Sequence, residues 1–251
     1  MYSRVLRHIS GSDLRALNED LTLKFRDELN PMFWKGDTLK GVIKTALMKF
    51  ANAFAEYVEL DNRAIKDVLM LGGNAGYNYT QHSDIDVHIV VDPKYVPGCD
   101  PELLDDYYMD KKTLWELTHE VKIYGVPAEP YIEQPGIKRK KAQGVYSLMK
   151  NKWVQKPQKF EGELDERELE KKVNNIKRKL DCMIQSDNGV GLKAAVKRLR
   201  DARQASLEKY GEYGMENLVF KELRNSGYID KVRKAVLKYT SASLSLSLIH
   251  I

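Results

Sequence analysis

Between Leu39 and Val58, apolar side chains recur at positions 39, 43, 46, 47, 50, 54 and 58, the spacing that lines one face of an α-helix. Asp37-Thr38 can cap that helix, which the pattern carries to about Glu59. The period then changes. Asp67 to Leu71 (DVLML) is a short apolar run closed by Gly72-Gly73, which predicts a buried strand and a turn. Asn74 to Ser83 is polar and turn-rich. Asp84 to Val91 (DIDVHIVV) is alternating and rich in β-branched residues, and predicts the clearest strand of the chain. Pro101 to Glu120 predicts a second helix. Val121 to Glu133 predicts a third extended segment, interrupted by Pro127 and Pro130; Pro130 cannot donate to a ladder and pushes this strand toward a sheet edge.

From Leu164 onward the pattern is helical. Leu164–Ile184 and Gly191–Tyr210 are charged amphipathic stretches separated by the turn-like Ser186-Asp187-Asn188-Gly189. Met215–Arg224 and Ile229–Tyr239 are shorter helices around Asn225-Ser226-Gly227. No internal repeat is visible. This order predicts an α/β (α+β) fold, a small mixed sheet with flanking helices plus a helical C-terminal region. The expected division is a sheet-containing domain with N-terminal helices over 1–155, a basic helical domain over 156–240 and a tail over 241–251.

Composition narrows the class. The 251 residues suit one domain with an appendage or two small domains, and 43% hydrophobic residues suffice for a core. No run approaches the roughly 18 apolar residues of a membrane helix, and Met1–Asp20 lacks the apolar segment of a secretion signal. Cys99 and Cys182 have no C-x-x-C spacing, which argues against a disulfide scaffold or cysteine zinc site and fits a reducing, cytoplasmic compartment. The net charge of +5 conceals an asymmetry: 15 Lys/Arg against 22 Asp/Glu up to Glu133, then 26 against 14. A basic half can meet a phosphate backbone, and it can equally be a set of well-solvated helices.

The chemistry concentrates around Asp84 and Asp86. Residues i and i+2 of a strand share a face, so these two carboxylates project together while Ile85, Val87, Ile89 and Val91 face a core. Paired carboxylates repel unless a cation sits between them, and hard oxygen ligands on a rigid strand suit Mg²⁺ or Mn²⁺. Gly72-Gly73, separated from Asp84 by ten residues, offers a side-chain-free turn whose N–H groups can approach a phosphate. An acidic face on an edge strand is the plainer alternative.

Leu71-Gly72-Gly73, the spacer and Asp84-Ile85-Asp86-Val87 together resemble the signature of the DNA polymerase β-like nucleotidyltransferases. Leu29-Asn30-Pro31 to Leu39, Leu71 to Asp92, Gly144 to Leu148 and Glu216 to Asn225 look like predicted nucleotidyltransferases of tailed phages. The resemblance implies a polymerase β-like fold, two divalent metals and transfer of a nucleoside monophosphate from an NTP such as ATP, with pyrophosphate released. It makes Asp84 and Asp86 metal ligands and lets Gly72 and Gly73 hold the triphosphate. Asn74 could add a side-chain contact, and Ser83 caps or turns the loop beside the nucleotide. The third acidic ligand would be Glu129, preferred over Glu133 because of its small and apolar neighbours. Lys112, or Lys111, could neutralise charge on pyrophosphate; a solvated helix lysine is the alternative.

Other residues carry weaker signals. His88 shares the aspartate face and can ligate, contact substrate or simply hydrogen-bond. Tyr77 and Tyr79 could stack on a base. Lys138-Arg139-Lys140-Lys141 is either a phosphate clamp or a charged loop, Trp153 either packs or lines a base, and Lys221 and Arg224 either reach phosphate or are solvated. The leading expectation is transfer to a nucleic-acid end, RNA favoured, in the cytoplasm of a host cell if phage-encoded. Its rivals are transfer to a small molecule or protein, synthesis of a nucleotide second messenger, and a catalytically silent nucleic-acid-binding protein. Leu246-Ser-Leu-Ile-His-Ile251 resembles a translated transposon-end adapter and is given no functional weight.

Overall fold

A computed structural model describes residues 21–96, 103–140 and 142–248, with side chains placed up to residue 242. Cys99, Lys141 and the last three residues of the adapter-like tail lie outside the described residues. The chain divides into two compact units. One comprises Lys24–Gly162 with Leu207–Gly214; the other comprises Met1–Leu23, Glu163–Ser206 and Met215–Ile251.

The first unit opens with a hairpin, β1 (Trp34–Lys35) and β2 (Thr38–Leu39), where a helix cap was expected. Trp34 pairs with Leu39 and Lys35 with Thr38, so Asp37-Thr38 belongs to the hairpin and α1 begins later, at Gly41–Tyr57. Its N-cap, Lys40, makes no side-chain capping bond. The helix is held by its apolar face, with Ile43, Leu47, Phe50 and Phe54 buried.

The main sheet contains β3 (Ile65–Leu71), β4 (Ile85–Val91), β5 (Lys122–Ile123), β6 (Val126–Glu133), β7 (Val145–Ser147) and β8 (Lys152–Gln155), between which α2 spans Leu104–Thr118. Its order is β5-β6-β4-β3-β7-β8. β4 and β6 are parallel and the other neighbours antiparallel, so the sheet is mixed as predicted. Val68, Met70, Ile85, Val87, Ile89 and Val91 form one core with α1 and with Leu104, Tyr108 and Trp115 of α2. Phe54 meets Trp115 edge-on, ring centroids 5.5 Å apart.

The extended segment after α2 is a hairpin rather than a broken strand. Tyr124 and Gly125 both have positive φ, 51° and 85°, the conformation of a two-residue type I′ turn. β5 covers β6 only at Val126 and Pro127. Beyond them β6 has no second strand partner among the described residues, so Pro130, opposite Val87 of β4, costs no ladder bond on its outer edge.

The second unit is helical. It contains α3 (Glu166–Gln185), most of α4 (Gly189–Tyr210), α5 (Met215–Asn225) and α6 (Tyr228–Leu248). The amphipathic pattern is realised in Leu180, Leu192 and Val232, which form a buried cluster. Asp165 caps α3 by accepting from the Glu168 N–H at 2.8 Å. On α5, Leu218, Val219 and Leu223 are buried while Arg224 is exposed. Buried Glu222 accepts bonds from the backbone N–H groups of Thr22 and Leu23 and from the Thr22 hydroxyl.

Candidate active site

The face of the sheet opposite α1 carries the acidic residues. Asp86 lies in β4 beside Glu129 of β6 in parallel register, and Asp84 immediately precedes β4. One carboxylate oxygen from each of Asp84, Asp86 and Glu129 falls within 4.8 Å of the others, and all three residues are partly exposed. Three hard anionic oxygens on rigid neighbouring strands are a fitting donor set for Mg²⁺ or Mn²⁺. Residues 43 positions apart along the chain meet here because β4 and β6 run parallel with Asp86 opposite Glu129.

Glu133, the other candidate third carboxylate, lies opposite Val90, four residues farther along β6. Its carboxylate is bonded to His88 Nδ1 at 2.7 Å and ion-paired with Arg139. Burial alone would raise its pKa, but the His88 bond and the charges of His88 and Arg139 outweigh that and hold it below the usual glutamate value. His88 is therefore engaged with Glu133 and stacks on Tyr131 at 4.6 Å.

The turn after β3 is built against the aspartates. Gly72 has φ +80°, and a Cβ there would run into the Asp86 carboxylate. A Cβ on Gly73 would lie 2.8 Å from Ser83 Oγ. Ser83 closes the loop: its Oγ accepts from the Thr80 N–H at 2.9 Å, and its own N–H donates to the Thr80 carbonyl. The glycine pair thus packs directly on the loop that delivers Asp84 and on the carboxylate of Asp86.

Asn74 and Lys112 take positions other than those expected. Asn74 is 1% exposed, and its amide donates to the carbonyls of Ser83 and Asp84 at 3.0 and 2.9 Å. It accepts from Asn30 Nδ2 at 2.8 Å, and Trp34 Nε1 donates to its carbonyl. Both amide hydrogens are committed, so Asn74 fixes the loop and has no donor left for a substrate. Lys112 is buried between Glu116 and Glu129, 3.1 Å from Glu129 Oε2, instead of projecting toward a leaving group. Burial lowers its pKa, but the Glu116 bond and the Glu129 charge more than compensate and raise it. Lys111 sits over the Tyr107 ring, 5.5 Å from its centroid.

Tyr131 carried no signal by itself. Its hydroxyl donates to Glu129 Oε2 at 2.7 Å, and its ring lies 4.4 Å from the Lys112 ammonium. Burial raises its pKa, and the bond to Glu129 with the fields of Asp86 and Asp84 raises it further. The i, i+2 spacing from Glu129 along β6 was the available clue. Asn30, in the sequence only one residue of the Leu29-Asn30-Pro31 segment, has its part in the site shown by its bond to Asn74.

The remaining aromatic candidates separate. Trp153 stacks on Trp34 at 4.6 Å and donates to the Asp37 carbonyl, so it packs the opening hairpin. Tyr79 lies under Arg26 and Tyr77 under Lys159. Together the carboxylates and their buried partners form an anionic centre that could hold a divalent cation, beside the Gly72-Gly73 turn.

No protein-family model matches the chain, and neither does any curated protein. Among solved structures, it is similar to the STING-associated CdnE c-di-GMP synthase from Capnocytophaga granulosa, at 11% identity over 83% of this chain and 84% of that one, with a TM-score of 0.22. It is also similar to the E. coli MS115-1 CdnC:HORMA-deltaN complex, at 12% identity over 76% and 61% of the two chains, with a TM-score of 0.21.

Proposed function

We propose that the protein is a divalent-metal-dependent nucleotidyltransferase, moving a nucleoside monophosphate from an NTP to an acceptor hydroxyl. The observation that carries this reading is the convergence of Asp84, Asp86 and Glu129 within 4.8 Å beside the Gly72-Gly73 turn. The acceptor oxygen attacks the α-phosphorus as its hydroxyl proton passes to water, the bond from the α-phosphorus to the α–β bridging oxygen breaks, and pyrophosphate leaves with that electron pair. Asp84, Asp86 and Glu129 would hold a divalent cation, which would supply Lewis-acid polarisation of the phosphate and of the acceptor hydroxyl. The chain's own residues prepare that chemistry. Asn74 and Ser83 hold the loop that presents Asp84, while Lys112 and Tyr131 orient Glu129. The glycine turn, packed beside Asp86, would offer backbone N–H groups to the triphosphate.

The acceptor favoured is an RNA end. The excess of Lys/Arg beyond Glu133, 26 against 14 acidic residues, provides an electrostatic surface for a phosphate backbone. Incubation with Mg²⁺ and each α-³²P-labelled NTP, with and without RNA, tests both levels. Label on RNA and release of pyrophosphate are expected, with loss of at least about a hundredfold in Asp84→Asn and Asp86→Asn. Label on a small molecule or on the protein itself overturns the RNA acceptor but keeps the chemistry. No turnover with any NTP overturns the transferase.

A further inference from the structure

The loop from β6 to β7 carries charge that the proposed transfer does not use. A cavity of about 1170 Å³ within the sheet-containing unit is lined by Lys138, Arg139 and Lys140 of that loop and by Lys159 and Lys209. Its acidic lining among the described residues is Glu161 and Glu208, against five cations, of which Arg139 is paired with Glu133 and Lys159 lies 3.9 Å from Asp27. The cations come from three separate segments, which spreads positive charge along the wall. A pocket for one small molecule holds about 300–1,000 Å³, so the cavity is larger than a single mononucleotide requires.

Two phenols complete it. Tyr210, 61% exposed, stands with its ring 5.0 Å from the Lys209 ammonium, and Tyr213 donates from its hydroxyl to the Gln158 carbonyl at 2.8 Å. A cationic wall with an exposed aromatic ring is the chemistry of single-stranded nucleic-acid binding, in which phosphates meet cations and bases stack. The loop also ties the cavity to the carboxylate centre. Arg139 pairs with Glu133 on the strand that bears Glu129. At the loop's far end, Gly144 packs so closely on the Ala75 carbonyl that no Cβ fits, directly after the glycine turn.

We infer that this cavity is the docking site of the acceptor strand, a single-stranded RNA. The word acceptor rests on the transferase reading; the RNA-binding assignment does not. The helical unit has a basic groove of its own, about 480 Å³, lined by Lys193, Lys197, Arg200 and Arg233. Its other lining is Val196, Ile229, Val236 and Asp201, with no aromatic ring, and Lys197 is paired with Asp201 at 2.8 Å. That groove serves as the internal control.

The test is fluorescence anisotropy of a fluorescein-labelled 12-nucleotide single-stranded RNA with the full chain, over a salt series, without Mg²⁺ or NTP. Lys138→Gln with Lys209→Gln is expected to reduce the slope of log K against log salt by about 1.4, two phosphate contacts at about 0.7 each. Tyr210→Ala is expected to weaken binding roughly tenfold without changing that slope. Lys193→Gln with Arg200→Gln leaves both unchanged, and circular dichroism verifies each fold. The inference is overturned by absent RNA binding, by an unchanged slope in the cavity variant, or by equal losses in the two paired variants. Displacement of the RNA by saturating ATP also overturns it, by making the cavity a nucleotide pocket. If the cavity results hold and the wild type transfers nothing, the transferase reading alone fails.

Discussion

Gly72 is the residue with the least room for change. Its φ of +80° with ψ of −169° lies in a region that only glycine readily adopts and costs an L side chain about 1–3 kcal/mol, and the Cβ would displace the Asp86 carboxylate. Gly72→Ala is therefore expected to lower stability by about that amount, and transfer by about a hundredfold, because small misplacements of reacting groups are amplified in rate. Urea unfolding and a single-turnover assay measure the two effects. Loss of stability without loss of transfer contradicts the close packing on Asp86. The paired aspartates and the glycine turn were legible in the sequence because both signals are local. The tasks of Asn74 and Lys112 were not, since their partners, Asn30 and Glu129, lie 44 and 17 residues away along the chain.

At the scale of elements, the long periodic segments were legible and the short ones were not. Seven residues of β4 carry a full alternation, whereas β7 and β8 have three and four residues and too few periods to distinguish from loop. Their place in the sheet depends on a tertiary network. Buried Asp67 of β3 accepts from Ser147 Oγ and Lys150 Nζ, each at 2.7 Å, fastening β3 to the β7–β8 hairpin. Asp67→Ala leaves the buried Ser147 hydroxyl without this acceptor, and the expected loss is about 1–3 kcal/mol in urea unfolding. Lys150→Ala costs much less, because the lysine is 55% exposed and its ion pair is screened by water. Equal losses in the two variants would assign the effect to the ion pair instead of the buried bond. The sequence expectation that Pro130 places its strand at a sheet edge matches β6, which beyond Val126 and Pro127 pairs, among the described residues, only with β4; what the sequence did not show is the two-residue hairpin turn that joins β5 to β6.

For the whole molecule, the carboxylates are expected to govern the response to pH and to divalent metal. The folded-state pKa of Glu133 lies below its unfolded value near 4.5. Its stabilisation is therefore complete above that value and disappears as pH falls through the lower folded one. Glu133→Gln is expected to flatten the acid limb of a stability-versus-pH curve measured by thermal unfolding; an unchanged limb would detach acid sensitivity from this pair. Metal acts in the opposite sense. A cation that binds the folded centre stabilises it by mass action, about 2.7 kcal/mol at a hundred times its dissociation constant. Mg²⁺ or Mn²⁺ should raise the melting temperature of the wild type, and EDTA should reverse the rise. Asp84→Asn with Asp86→Asn should show neither effect. A rise that persists in the double variant would place the metal elsewhere.

The sequence by itself determined the periodicities, and with them the helices, the central strands, the paired aspartates and the glycine turn, because each is encoded within about ten consecutive residues. The sequence also preferred Glu129 as the third carboxylate, but its approach to Asp84 and Asp86, the diversion of Glu133 to His88 and Arg139, and the burial of Lys112 against Glu129 were decided only by the tertiary structure. The physical reason is register. Parallel pairing of β4 with β6 puts residue 129 opposite residue 86 and residue 133 opposite residue 90, a relation between distant segments that no local pattern states.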